Sequence, residues 1–181
     1  IFTDGSTDAR GLGGIPLTKG VHHNSPRLAA APDGKTLYFI AGTIGTSTLT
    51  HPTPGACVYK IPVDGQGPAV VWVGAPGKPG SDNAHFGDAG GLACDAEGRV
   101  YVADLINNRI QVFSPEGSHL KTIPVERPAY VCVHGKSGAI YVQHTARVEG
   151  RSVGRLTKFG PFADPKEAFH LDGISGYFLE Y

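Results

Sequence analysis

Three segments of this chain share one pattern, and that tandem repetition limits the fold more than any other feature. The first runs Leu28-Ala-Ala-Ala-Pro-Asp-Gly-Lys-Thr-Leu-Tyr-Phe39. The second runs Leu92-Ala-Cys-Asp-Ala-Glu-Gly-Arg-Val-Tyr-Val102, and the third Val131-Cys-Val-His-Gly-Lys-Ser-Gly-Ala-Ile-Tyr-Val142. Each has a short apolar strand, a turn closed by Gly34, Gly98 or Gly138, and a strand centred on Tyr38, Tyr101 or Tyr141. Glycine takes φ > 0 without a Cβ clash, as a tight hairpin often demands. Side chains alternate faces along a strand, so each tyrosine points away from its two neighbours.

A third strand follows in every unit: Cys57–Ile61, Arg109–Phe113 and Arg155–Phe159. Turns at Asp64-Gly65 and Glu116-Gly117 lead to fourth strands over Ala69–Val73 and Leu120–Ile123, and Ala168–Leu171 fits the same place in the last unit. Four antiparallel strands repeating about every 40 to 50 residues describe the blades of a β-propeller. The expected fold is therefore all-β, a β-propeller of four-stranded antiparallel blades, incomplete in this chain. Its three blades fall at about 27–74, 86–123 and 129–171, within a propeller region of 27–171. Residues 1–26 are expected to end a preceding blade or lead in, and 172–181 to begin a following blade or form a tail. The units differ in length chiefly in the loops between second and third strands.

Composition agrees. With 26 Gly and 14 Pro among 181 residues, the chain is heavily punctuated, as suits many short strands and tight turns. Its 40% hydrophobic share is too high for disorder. Sixteen basic and 16 acidic side chains cancel, so neither nucleic acid nor an anionic membrane is an expected partner. The chain has no apolar run long enough for a membrane span. No signal peptide is visible behind Ile1, and the composition is compatible with an exported or periplasmic protein without requiring one. Cys57, Cys94 and Cys132 form no CxxC pair and lie in strand-like runs, so they read as small buried hydrophobes.

The second unit, from Phe86 to Phe113, resembles an NHL repeat, most strongly at Tyr101-Val-Ala-Asp104 and at Asn107-Asn108-Arg109 leading into Ile-Gln-Val-Phe113. The other units keep the strands and turns but lack the Asp-x-x-Asn-x-Arg connection. The resemblance implies a propeller of around six blades. The remaining blades would come from the same longer chain or from another copy.

In such a scaffold the second-to-third-strand loops and the linkers between blades share one face, here Ala41–Ala56, Gly74–Ala89 and Thr145–Gly154. Long loops on one side of a rigid frame are where binding concentrates. The candidate binding residues are His22, Asp82, Asn83, Asp104 and Asn107. His23, His85 and His144, with Asp88, are candidate ligands for a divalent metal, zinc or calcium; neutral imidazole is a good ligand for zinc. Their spacing matches no metal motif, and loop histidines commonly bond to backbone or water. Asp104 and Arg109 also have a structural reading, a charge-assisted bond tying the hairpin connection, with Asn107-Asn108 tolerating a left-handed turn. Trp72 reads as packing. No nucleophile elbow, P-loop, dinucleotide fingerprint or haem attachment occurs.

Two functions follow. One is a binding platform presenting its loop face to a protein or small-molecule ligand. The alternative is a metal-dependent enzyme: the resemblance extends to related six-bladed propellers that include a peptide-amidating lyase and lactonase-type hydrolases with a divalent metal near the axis.

Overall fold

The hairpins turn where the sequence places glycine. Gly34, Gly98 and Gly138 have φ of 66°, 82° and 66°, a region that L side chains avoid. A side chain closes the same turn from within. Asp33 Oδ1 accepts from the amides of Lys35 and Thr36 at 2.7 and 3.0 Å. Asp95 Oδ1 accepts from those of Glu97 and Arg99 at 3.1 and 2.9 Å. In the third unit His134 Nδ1 takes that role for the Ser137 amide at 3.3 Å.

The structure is a computed structural model and describes residues 27–41 and 57–174. The lead-in 1–26, most of the Ala41–Ala56 loop and the end of the tail lie outside the described residues. Twelve strands are described: β1 (Arg27–Ala30), β2 (Thr36–Ala41), β3 (Cys57–Pro62), β4 (Val70–Gly74), β5 (Ala89–Cys94), β6 (Val100–Asp104), β7 (Arg109–Phe113), β8 (His119–Pro124), β9 (Pro128–Val133), β10 (Ile140–Val148), β11 (Arg151–Phe159) and β12 (Glu167–Asp172). They form three four-stranded antiparallel sheets ordered β1-β2-β3-β4, β5-β6-β7-β8 and β9-β10-β11-β12, the blades of a β-propeller incomplete in this chain. No helix among the described residues is long and apolar enough to cross a membrane.

Period-two alternation builds the core between sheets. One cluster joins Tyr38, Ile40, Val58 and Val73 of the first sheet to Leu92, Val100, Val102 and Phe113 of the second. Another joins Tyr101, Ala103, Ile110 and Val112 of the second to Val131, Ile140, Val142 and Phe159 of the third. The second sheet lies between the others, and every residue of β6 and β7 is buried. The tyrosine-bearing face of each of the first two sheets meets the sheet that follows.

The innermost strands β1, β5 and β9 pack side by side, β1 on β5 and β5 on β9. Glycine makes the second approach possible. A Cβ on Gly90 or Gly91 would come within 2.9 Å of the Ala129 carbonyl oxygen. The same packing carries the first residues of all three strands to one rim.

Two expectations are corrected. Thr145–Gly154 is no loop, because β10 and β11 continue through it and turn only at Glu149-Gly150, with φ of 49° and 79°. Both turn residues having φ > 0 is the hairpin geometry that matches strand twist. Cys57 is buried and Cys94 half-buried, but Cys132 is exposed. It points from β9 toward the side of the third sheet that no described sheet covers.

Candidate binding site at the inner rim

The linker from β4 to β5 crosses the loop face, and one buried cation holds it there. Arg109 Nε donates to Asp104 Oδ2 at 2.9 Å, the bond expected from sequence. The rest of the guanidinium reaches further. Nη1 donates to the Ser81 carbonyl at 2.8 Å, and Nη2 to those of Asp82 and His85 at 2.7 and 3.1 Å. Gln111 Nε2 adds a bond to the His85 carbonyl at 3.1 Å. A planar guanidinium can serve several acceptors at once, which an ammonium cannot do with the same geometry. Asp104 is fully buried and accepts from the Gly87 amide at 2.9 Å and from Asn107 Nδ2 at 2.8 Å. Asn107 also donates to the Gly80 carbonyl at 2.8 Å. Asn108 takes φ of 54° in the turn below.

This anchoring fixes Asp88 at the start of β5. Burial pushes its carboxyl up to about 6, the Asp104 carboxylate adds to the rise, and Arg27 acts in the opposite sense. Arg27 begins β1, on the inner strand beside β5. Its guanidinium lies over the Tyr130 ring of β9, 3.9 Å from the centroid. Arg27 Nη1 is buried and has no hydrogen-bond partner. Each inner strand thus brings one polar or aromatic group to the rim, with Arg27 linking the other two. A titratable carboxyl, a cation and an aromatic face can hold a small polar ligand and exchange a proton with it.

The sequence-chosen residues divide between this rim and its supports. Asp104 and Asn107 face inward into the anchor. Asp82 is exposed, and its carboxylate accepts from His85 Nδ1 at 2.8 Å; Asn83 is exposed beside it. That bond holds the Asp82 carboxyl below its ordinary range. His144 is buried in β10, with Nδ1 bonded to the Glu126 carbonyl at 2.9 Å and Nε2 to Thr157 Oγ1 at 2.8 Å. The first contact makes Nδ1 the donor, which leaves Nε2 to accept from the hydroxyl. Burial lowers the pKa of this imidazole. His22 and His23 lie outside the described residues. Sequence reasoning missed Arg27 and Tyr130, which meet only through the packing of distant strands. Position at the start of an inner strand, shared by Arg27 and nearly by Asp88, was the signal available.

Of the four metal candidates, His85, Asp88 and His144 are described. His85 is engaged with Asp82, both ring nitrogens of His144 are bonded, and Asp88 lies three residues beyond His85 in the same β4–β5 linker. Among the described residues no three of His, Cys, Asp and Glu gather as a metal-holding group. The described donors alone do not assemble a divalent-cation site, and His23 lies outside the described residues.

Comparison with known proteins gives the wider setting. No curated protein matches the chain. Among solved structures, a puromycin hydrolase is 17% identical over 81% of this chain and 22% of its own, with a TM-score of 0.51, and shares the fold. Regucalcin from Agrobacterium tumefaciens strain C58, described as a calcium-binding protein, is 22% identical over 68% of this chain and 39% of its own, with a TM-score of 0.46. A gluconolactonase from Xanthomonas campestris is 16% identical over 72% and 38%, with a TM-score of 0.44. The chain thus spans about two fifths of the length of either. The NHL likeness is strong over 86–123 and weak over the rest of 27–171, and the family match is to a different family of propellers. Residues 23–145, more than half of the chain, match the SMP-30/Gluconolactonase/LRE-like region, and the chain belongs to that family.

Proposed function

We propose that the chain supplies the ligand-binding rim of a propeller and holds a small polar molecule where β1, β5 and β9 begin. The observation that carries this reading is the convergence of Arg27, Asp88 and Tyr130 on one rim, with Asp88 half-buried and titrating near 6. The Arg109 anchor supports it, because a loop pinned through three carbonyls presents Asp88 in one position. Preorganisation of this kind removes much of the entropic cost of binding. The test is a calorimetric and NMR screen of the full chain against small hydroxylated compounds, including sugar lactones and their open acids. A hit should perturb the Asp88 and Tyr130 resonances and lose about tenfold or more in affinity in Asp88→Asn. Hits that leave both resonances unmoved, or no hit at all, would end this reading.

A second reading, hydrolysis of a lactone, is favoured by the family match and by the Asp88 carboxyl. A carboxylate with a pKa near 6 is ionised at neutral pH and basic enough to take a proton from water attacking an ester carbonyl. Hydrolysis of a gluconolactone followed by pH-stat would show a rate rising through about pH 6 that Asp88→Asn abolishes. A rate indifferent to Asp88 leaves binding as the sole function proposed. A divalent ion at this rim would need donors beyond the described residues, His23 among them.

A further inference from the structure

Arg109 and Arg27 both serve the loop face, and they differ in what they hold. Arg109 spends Nε and both terminal nitrogens on Asp104 and the linker carbonyls. Arg27 makes no hydrogen bond or ion pair to another described residue, and its Nη1 is nevertheless buried. A buried donor without an acceptor is costly, and folded proteins seldom keep one.

The orphan donor lies on the covered side of its sheet. Alternation along β1 puts Arg27 on the same face as Ala29, and Ala29 packs into the core between the first and second sheets. From there the side chain reaches the start of β9, where the Tyr130 ring covers one flat side of the guanidinium, 3.9 Å from the centroid. A ligand must then come edge-on, in the guanidinium plane, to the end that carries Nη1.

Two N–H groups point outward in parallel from that end, and the fork matches the two oxygens of a carboxylate. A lactone or amide carbonyl offers one acceptor oxygen to a charged fork built for two. Charge narrows the choice further. Asp104 already neutralises Arg109, and Arg27 is the cation whose field reaches Asp88. A phosphate dianion would bring two charges to one unpaired cation beside the Asp88 and Asp104 carboxyls, whereas a carboxylate brings one. Asp88, just before the strand packed on β1, offers an acceptor to a hydroxyl on the carbon next to that carboxylate.

We infer that the ligand of this rim is a small 2-hydroxy carboxylate, with its carboxylate in the fork of Arg27 and its hydroxyl on Asp88. The inference rests on the binding reading above and narrows it, since a neutral lactone or amide becomes the poorer ligand. Arg27 is then the residue that selects for charge, and Tyr130 holds its guanidinium in the plane that the carboxylate enters.

Calorimetry and NMR on the full chain with glycolate, lactate and gluconate, each beside its own amide, test it. At least one acid should bind about tenfold or more tighter than its amide and shift the Tyr130 and Arg27 guanidinium signals. Arg27→Gln should abolish that preference. Arg27→Lys keeps the charge without the fork and should restore only a minor part of it. The comparison of acid with amide in the wild type stands by itself if either variant fails to fold. Acids and amides bound alike, with the Asp88 and Tyr130 resonances still moving, would overturn the carboxylate and leave the binding reading intact; no binding of either kind would end both. Inorganic phosphate displacing the acids at equal concentration would overturn it as well. So would Arg27 N–H groups already protected from exchange in the ligand-free chain, which would show that a segment of the chain itself fills the fork.

Discussion

Two side chains carry most of the electrostatic argument. Arg109 is nine-tenths buried and meets one carboxylate and three carbonyls. Its replacement by Ala would strip Asp104 of its cation and free the linker before β5. Breaking a buried pair from one side costs about 3–5 kcal/mol. Urea denaturation of Arg109→Ala should show a loss of that order, and a loss under about 1 kcal/mol would mean that the linker is held by other means. Asp88 makes a prediction of opposite sign. Its folded pKa, about 6, lies above the ordinary carboxylate value of about 3.9. Between those values the folded state binds more protons than the unfolded state, so stability falls as pH rises through the window. Asp88→Asn removes that dependence. It should match wild type near pH 4 and exceed it above about pH 6, because the backbone bond from the Leu105 amide to the residue 88 carbonyl survives. Equal stability at both pH values would show that the Asp88 carboxyl titrates as an ordinary exposed group.

At the scale of elements, the hairpin joining β10 and β11 turns on Glu149-Gly150. A non-glycine residue at φ > 0 costs roughly 1–2 kcal/mol, which asparagine partly escapes. Glu149→Asn should therefore stabilise the protein by about 0.5–1 kcal/mol in chemical denaturation, with no change of fold. No gain would mean that the glutamate side chain makes a compensating contact. This hairpin also shows what the sequence concealed. Gly34, Gly98 and Gly138 stand between runs that alternate cleanly, and their turns were legible; so were the third strands, Cys57–Ile61 extending only to Pro62. Thr145–Gly154 mixes Arg, Thr and Gly and turns on Glu-Gly instead of Asn-Gly, so its strands were hidden. The Asp104–Arg109 bond spans five residues and could be read locally. The reach of Arg109 to Ser81, Asp82 and His85 could not, nor could the stacking of Arg27 on Tyr130. Those contacts exist only once separate sheets have packed.

For the whole molecule, the arrangement is close to one-dimensional: the first and third sheets each pack on the second. Stability in such arrays is carried by each unit and by its nearest-neighbour interfaces. Protection should be graded. β6 and β7, buried at every residue, should exchange their amide hydrogens most slowly, and β12, exposed at every residue, most rapidly. The side-chain bonds between sheets make a sharper test. Trp72→Phe keeps a large ring against Tyr38 and Phe113, 4.7 and 5.8 Å away between centroids, but removes the donor to Pro115. Losing one hydrogen bond costs about 1 kcal/mol, about fivefold in an opening equilibrium. Because that bond joins only the first and second sheets, exchange should quicken in β1–β4 and in the β7–β8 turn. The third sheet, held through Lys121 and Phe162, should keep its rates. If all three sheets quicken together, opening is global and the sheets form one cooperative unit. If none does, the Trp72 bond to the Pro115 carbonyl is already broken in solution.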